Sequence, residues 1–439
     1  MLLGSSRRDF LKIGAAGLLG LGAASAAPDA KRPVIRGRNV PSHPSCDSVI
    51  LLWMGGGPST IDMWDLKPDA PAGIRGEFKP IASALPGLRV CELMPRLAKT
   101  VAKATLVRSV QHSLPEHGTG SAWMTTGNSP IGSLAYPALG ALAAKLRPSP
   151  ADLPSYVAAG GKGAAQYAGY LGAGFNPFVV DSLPGGKTGR VDPAAKPQMR
   201  GVVLPGGFPL SRLEDRRKLL EGFDRGLAEA EGTALVEGLD GFRTKALDIL
   251  RSPRTRQALD LGKEAQPVRE RYGMTPFGQG ALIARRLAES GVRFVTLGLS
   301  AWDTHQNNFP QLRTLLPQFD QTVSALIEDL DARGMLARTA VYVAGEFGRT
   351  PKINPEGGRD HWAKAQSVLL AGGGFKRGHV HGATDKEGMA ASLDPCSPDD
   401  VAATLMSRLG IAPGEELTTD TGRPVQLFRE GKVMRGLLA

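Results

Sequence analysis

Ser48-Val49-Ile50-Leu51-Leu52-Trp53-Met54 runs without a charge into Gly55-Gly56-Gly57-Pro58-Ser59-Thr60-Ile61-Asp62. An unbroken apolar run of this length fits a strand covered on both faces, the kind that parallel sheets use, because a strand with one wet face would alternate. The glycines stop the strand and Pro58 pre-sets a helix start, so the segment reads as strand, turn, helix. The same alternation recurs outward along the chain. Strands are predicted at 105–110, 155–159, 292–299, 339–344 and 367–370, and helices at 95–104, 136–147, 278–290, 312–333 and 398–409, the last opened by Ser397 as N-cap. Repeated βα units imply an α/β fold with a mostly parallel sheet, helices on both faces and a site beyond the carboxyl ends of the strands. A Gly/Pro-rich stretch at 160–209 leads into leucine-spaced helical patterns at 212–231 and 233–251, and 160–270 is taken as a partly helical insertion or cap.

With 439 residues, 42% of them hydrophobic and 22% charged, the chain can bury a large core and falls outside the disordered, collagenous and membrane classes. The net charge of +11 is spread thinly, so no nucleic-acid partner is predicted. A basic surface favours an anionic small-molecule or polysaccharide substrate. Cys46, Cys91 and Cys396 are odd in number and form no C-x-x-C, which excludes a disulfide framework and allows at most one bridge. At the N-terminus, Ser6-Arg7-Arg8-Asp9-Phe10-Leu11-Lys12 fits the twin-arginine export signal, with an apolar run at 13–24 and Ala24-Ser25-Ala26 as cleavage site. Residues 1–26 are read as signal peptide, 27–47 as linker and 48–439 as the functional domain. The twin-arginine machinery is thus an expected partner and the periplasm, or export by that route, the expected location. The apolar run is too short to span a bilayer, so no integral membrane segment is expected after cleavage.

Four strand ends carry unusual chemistry. In Gly55–Asp62, Ser59 or Thr60 is placed as nucleophile and Asp62 as ligand or base, while the glycine amides face outward for an oxyanion. The loop Gln111-His112-Ser113-Leu114-Pro115-Glu116-His117-Gly118 holds two imidazoles, of which His117 is a candidate to move protons. Trp302-Asp303-Thr304-His305 sets a carboxylate and an imidazole two residues apart, on one side of an extended segment. Gly345-Glu346-Phe347-Gly348-Arg349 offers a carboxylate and a guanidinium suited to clamping an oxyanion, and Gly358-Arg359-Asp360-His361-Trp362 adds a second Asp/His pair. Carboxylate with imidazole and no sulfur suits zinc, manganese or calcium.

Taken in order, the Gly55–Pro68 stretch, the His112 and Glu116-His117-Gly118 loop, Trp302–His305, Glu346–Pro351 and Gly358–Trp362 resemble one bacterial family, domain of unknown function 1501. Its members are similar to the alkaline phosphatase and sulfatase superfamily. That resemblance implies a three-layer α/β/α sandwich, alkaline phosphatase-like, with metal ligands at the carboxyl edge of the sheet. Carried over, it implies one metal site from Asp303, His305 and His361, with Asp360 beside them, and oxygen ligands from Asp62 and Glu346 for a second ion. The sulfatase pattern of Cys-x-Pro-x-Arg or Ser-x-Pro-x-Arg is missing after the first strand, so no formylglycine is expected. The function implied is a metal-dependent hydrolase of phosphate or sulfate esters, acting through Ser59, Thr60 or a water. A non-catalytic exported binding or scaffold protein of the same fold is the alternative.

Overall fold

The computed structural model describes residues 44–130, 132–160, 167–183, 198–199, 252–419 and 421–439. The segment 1–26 read as an export signal and the helical patterns predicted at 212–231 and 233–251 lie outside the described residues.

One sheet organises the chain. Its strands are β1 (Ser48–Met54), β2 (Ala104–Val110), β3 (Tyr156–Gly160), β4 (Phe178–Ser182), β5 (Gln198–Met199), β6 (Phe294–Leu299), β7 (Thr339–Ala344), β8 (Gln366–Ala371) and β9 (His379–His381), in the order β9-β2-β8-β7-β1-β6-β3-β4-β5. β1 is central and all seven of its residues are buried, as its unbroken apolar run requires. It pairs in parallel with β6, Val49 opposite Phe294, and with β7, Trp53 opposite Ala344. Its side chains alternate between two cores. Ile50, Leu52 and Met54 face one, with α3 (Pro276–Ser290) and α4 (Asn308–Ala332). Val49, Leu51 and Trp53 face the other, with α2 (Leu139–Leu146) and α5 (Pro398–Arg408). Helix, sheet and helix layers make the three-layer α/β/α sandwich, as the resemblance implies.

Two features depart from a simple run of βα units. β8 is antiparallel to both β7 and β2. Its amino end therefore lies at the edge where the parallel strands have their carboxyl ends, and this carries the preceding Gly358–Trp362 segment to that edge. Periodicity predicts the strand but not its direction, which pairing with both neighbours sets. Second, β4 and β5 extend the main sheet from within the stretch read as an insertion, β4 in parallel register with β3 and β5 antiparallel at the edge. The helix expected after Pro58 is a single 3-10 turn, Thr60–Asp62. All three cysteines are buried and free. Among the described residues, no helix is long and apolar enough to cross a membrane.

Candidate functional site

Five segments converge at the carboxyl edge. The glycine turn follows β1, the 111–117 loop follows β2 and opens α1 (His117–Thr126), Trp302–His305 follows β6, Gly345–Arg349 follows β7, and Gly358–Trp362 precedes β8. Arg349 and His361 are then paired across a short antiparallel ribbon. Close approach is possible because of glycine: a side chain at Gly56, whose φ is +118°, would sit 2.5 Å from the Asp303 nitrogen.

Asp303 is the hub. Its Oδ1 is 2.5 Å from Arg349 Nη2, 3.1 Å from His305 Nε2 and 3.4 Å from His361 Nε2, while Oδ2 is 3.4 Å from His117 Nε2. The His305 and His361 Nε2 atoms face each other at 2.9 Å. Each ring has its other nitrogen tied to an acceptor. His117 Nδ1 is 2.7 Å from Glu346 Oε1, His305 Nδ1 is 2.8 Å from Asp360 Oδ1, and His361 Nδ1 is 2.9 Å from the Pro115 carbonyl. Such partners keep the proton on Nδ1 and leave Nε2 as a lone pair, the arrangement that orients histidine toward a metal.

His117, Asp303 and His361 offer ligand atoms that all lie within 4.8 Å of one another. A four-coordinate ion with bonds of about 2.0–2.1 Å sets its ligand atoms about 3.3 Å apart. The Asp303 oxygens lie 3.1–3.4 Å from the three Nε2 atoms, and the His305 and His361 Nε2 atoms are 2.9 Å apart, spacings that fit such a shell. Glu346 Oε2 is buried with no partner among the described residues, a further mark of a place where positive charge belongs.

The electrostatics agree. Burial alone would raise the Asp303 carboxyl, but hydrogen bonding and charge from Arg349 hold it below the usual carboxylate range. Hydrogen bonding from His305 holds Asp360 low in the same way. Burial pushes His361 below the ordinary histidine value, toward its neutral form.

A family match covers residues 46–438 and carries the description protein of unknown function, DUF1501. The chain belongs to that family. No curated protein matches this DUF1501 chain. Solved structures similar to it include a sulfatase from Pseudoalteromonas sp., at 14% identity and TM-score 0.40 over 89% of this chain and 72% of that one. A phosphonate monoester hydrolase from Silicibacter pomeroyi is similar at 12% identity and TM-score 0.34, over 90% and 76%. The TAB5 alkaline phosphatase, in a variant with magnesium bound, is similar at 12% identity and TM-score 0.33, over 75% and 92%.

Of the residues singled out from the DUF1501 sequence, Asp303, His305, His361, Asp360, His117, Glu346 and Arg349 come together. His117, read as a proton carrier, stands beside Asp303 and His361 in the candidate ligand set. Arg349 is buried and donates to the Gly57 carbonyl at 2.7 Å, the Arg359 carbonyl at 3.0 Å and the Gly56 carbonyl, so it reaches the cluster through Asp303 and not as an open clamp. The Gly55 and Gly56 amides, read as facing an oxyanion, instead donate to the Leu299 carbonyl and to Glu346 Oε1, at 2.7 and 2.8 Å.

Ser59 and Asp62 go elsewhere. Ser59 is fully buried and its hydroxyl donates to Asp62 Oδ2 at 2.6 Å. Asp62 is itself buried and chelated by Arg359, with Nε on Oδ2 and Nη2 on Oδ1, both at 2.8 Å. Thr60 is buried beside it. Arg359 and Asn308, which donates to Asp62 at 2.9 Å, went unnoticed in the sequence. The position of Arg359 directly before Asp360-His361 was a usable signal. Asn308 offered none, since its partner is 246 positions away.

Proposed function

We propose that this chain is an exported metal-dependent hydrolase of phosphate or sulfate esters. The observation that carries this reading is the convergence of three Nε2 atoms, each ring fixed through Nδ1, on a carboxylate held by a buried arginine. His117, His305, His361 and Asp303 would hold a divalent ion. Once bound, such an ion supplies a Lewis acid for an ester oxygen and a low-pKa water. The chain's own part is to keep the donors ready: Asp303 ionised against Arg349, His305 turned by Asp360, His117 turned by Glu346 and His361 by the Pro115 carbonyl. Because the Ser59 hydroxyl is buried and donated to Asp62, water is the nucleophile that fits, in preference to Ser59. The substrate is an anionic small molecule or polysaccharide, and the twin-arginine signal directs the folded chain to the periplasm.

The test assays chromogenic phosphate, phosphonate and sulfate esters with protein purified without a metal-affinity tag, with and without chelator. Turnover that disappears with chelator and in His361→Ala is expected. A wild-type protein that is metal-free and binds no zinc, manganese or calcium on titration would sink the reading. The burial of Ser59, Arg349 and Arg359 favours one second reading, a binding protein that holds its ion without turnover. Stoichiometric metal with no hydrolysis across that panel would select it.

A further inference from the structure

We propose that this centre takes one divalent ion and that the Arg359 guanidinium is its second fixed positive charge. The inference rests on the metal-centre reading and goes beyond it in assigning the stoichiometry.

Asp62 and Glu346 are the carboxylates that sequence offered to a second ion, and both are committed within the protein. Asp62 Oδ2 accepts from the Ser59 hydroxyl, Asn308 Nδ2 and Arg359 Nε, and Oδ1 accepts from Arg359 Nη2. All five N–H groups of Arg359 are matched: the remaining Nη2 proton goes to the Ile74 carbonyl at 2.8 Å, and Nη1 donates to the Thr350 carbonyl at 3.1 Å and to the Pro351 carbonyl. Neither Arg359 nor Asp62 is more than 2% exposed. An ion could reach Asp62 only by stripping a bidentate, fully desolvated pair, which leaves a buried guanidinium without its counter-charge. Glu346 Oε1 already accepts from the Gly56 amide and sits on His117, leaving only Oε2. Water would have to supply nearly all of a second ion's shell, and one protein oxygen is a weak anchor for such an ion.

Formal charge agrees. Asp62, Asp303, Glu346 and Asp360 are set against Arg349 and Arg359, which leaves a deficit that a single divalent ion cancels. The pair is also wired to the cluster it serves. The Arg359 amide donates to the Thr304 carbonyl at 3.1 Å, its carbonyl accepts from Arg349, and the Thr304 hydroxyl donates to Asn308 Oδ1 at 2.7 Å. Arg359 and Asp62 are thus positioning residues beneath the Asp303–His305 loop.

The test is metal stoichiometry by elemental analysis and by calorimetric titration of the chelator-stripped full chain with zinc and with manganese. One equivalent per chain is expected, and two tight equivalents overturn the proposal while leaving the hydrolase reading intact. A wild type that binds none overturns both. Ser59→Ala should keep that equivalent with affinity within about threefold of wild type, while the paired Asp62→Asn with Arg359→Met, which removes the pair beneath the Asp303–His305 loop without stranding a buried charge, should keep the stoichiometry of one but bind at least tenfold more weakly. A tenfold or greater loss in Ser59→Ala, or wild-type affinity in the paired variant, measured where thermal melting is still cooperative, also overturns it. If the paired variant does not fold, Ser59→Ala and the wild-type stoichiometry still decide.

Discussion

His305 Nε2 and His361 Nε2 face each other at 2.9 Å, although the Nδ1 of each ring is already held by an acceptor. A carboxylate and a carbonyl can only accept, so both Nδ1 atoms carry protons, and in neutral rings both Nε2 atoms turn lone pairs toward one another. Two lone pairs at that distance repel unless a positive centre, a shared proton or a metal ion, lies between or beside them. Asp303 at 3.1 and 3.4 Å completes the demand for one.

Removing either imidazole should therefore remove the metal. In His305→Ala and His361→Ala the expected outcome is loss of most of the bound metal with folding retained, because an open centre has few donors to spare. Elemental analysis and thermal melting on the same samples check it. Unchanged metal content in both variants contradicts the assignment.

Asp360→Asn should weaken binding without abolishing it. The Asp360 carboxylate fixes the His305 ring through Nδ1 and, among the described residues, otherwise accepts only from Asn354 Nδ2, at 3.3 Å. Loss of such an orienting partner typically costs about 10–100-fold in metal affinity. A competition titration against a chelator of known affinity measures this, and an affinity equal to wild type would show that His305 needs no such support.

Asp62→Ala should cost stability and not chemistry alone. It strips the counter-charge from a fully buried guanidinium and leaves the Ser59 and Asn308 donors without an acceptor. Breaking a buried pair on one side costs about 3–5 kcal/mol. Chemical denaturation of the chelated protein reads the loss, and a change under about 1 kcal/mol would mean that the pair is dispensable to the fold.

Much of this was legible because β1, β6 and β7 announce themselves as buried apolar runs, and residues just beyond such strands must share one edge. Asp303, His305 and Glu346 followed from that rule. Asp360-His361 were legible as chemistry but not as position, since they precede a strand whose antiparallel direction depends on pairing with β2 and β7. Asp62 misled for a different reason. A carboxylate after a glycine turn looks the same in sequence whether it meets an ion or a guanidinium, and Arg359 lies 297 positions away.

Replacing Arg7 and Arg8 by lysine together should leave the protein in the cytoplasm as an uncleaved precursor, because the twin-arginine motif is read by its paired guanidinium groups. Cell fractionation with immunodetection follows it, with the expected cleavage near Ala26. Normal periplasmic levels of the double variant would remove the export reading.

Acidification should destabilise the metal-free protein, and His112 should be part of the cause. The ring is 8% exposed, its Nε2 donates to the Glu346 carbonyl at 2.7 Å, and its Nδ1 accepts from the Leu114 amide at 3.3 Å. A second proton would point at an N–H. Burial pushes His112 below the ordinary value of 6.5, only partly countered by the carbonyl contact. The unfolded chain therefore takes a proton near pH 6.5 that the folded chain refuses until lower pH. Stability is full above pH 6.5 and falls as pH drops from there toward the folded value. His361 and His379 are shifted the same way by burial. Asp303 and Asp360, held below their usual value of 3.8, lose their contribution only at pH below that value, outside this window. Melting temperature in chelator should thus fall between pH 7.5 and 5.5. His112→Gln, whose amide can still donate to the Glu346 carbonyl, should show a shallower fall than wild type. Parallel curves for the two proteins would mean that His112 is not among the groups that set it.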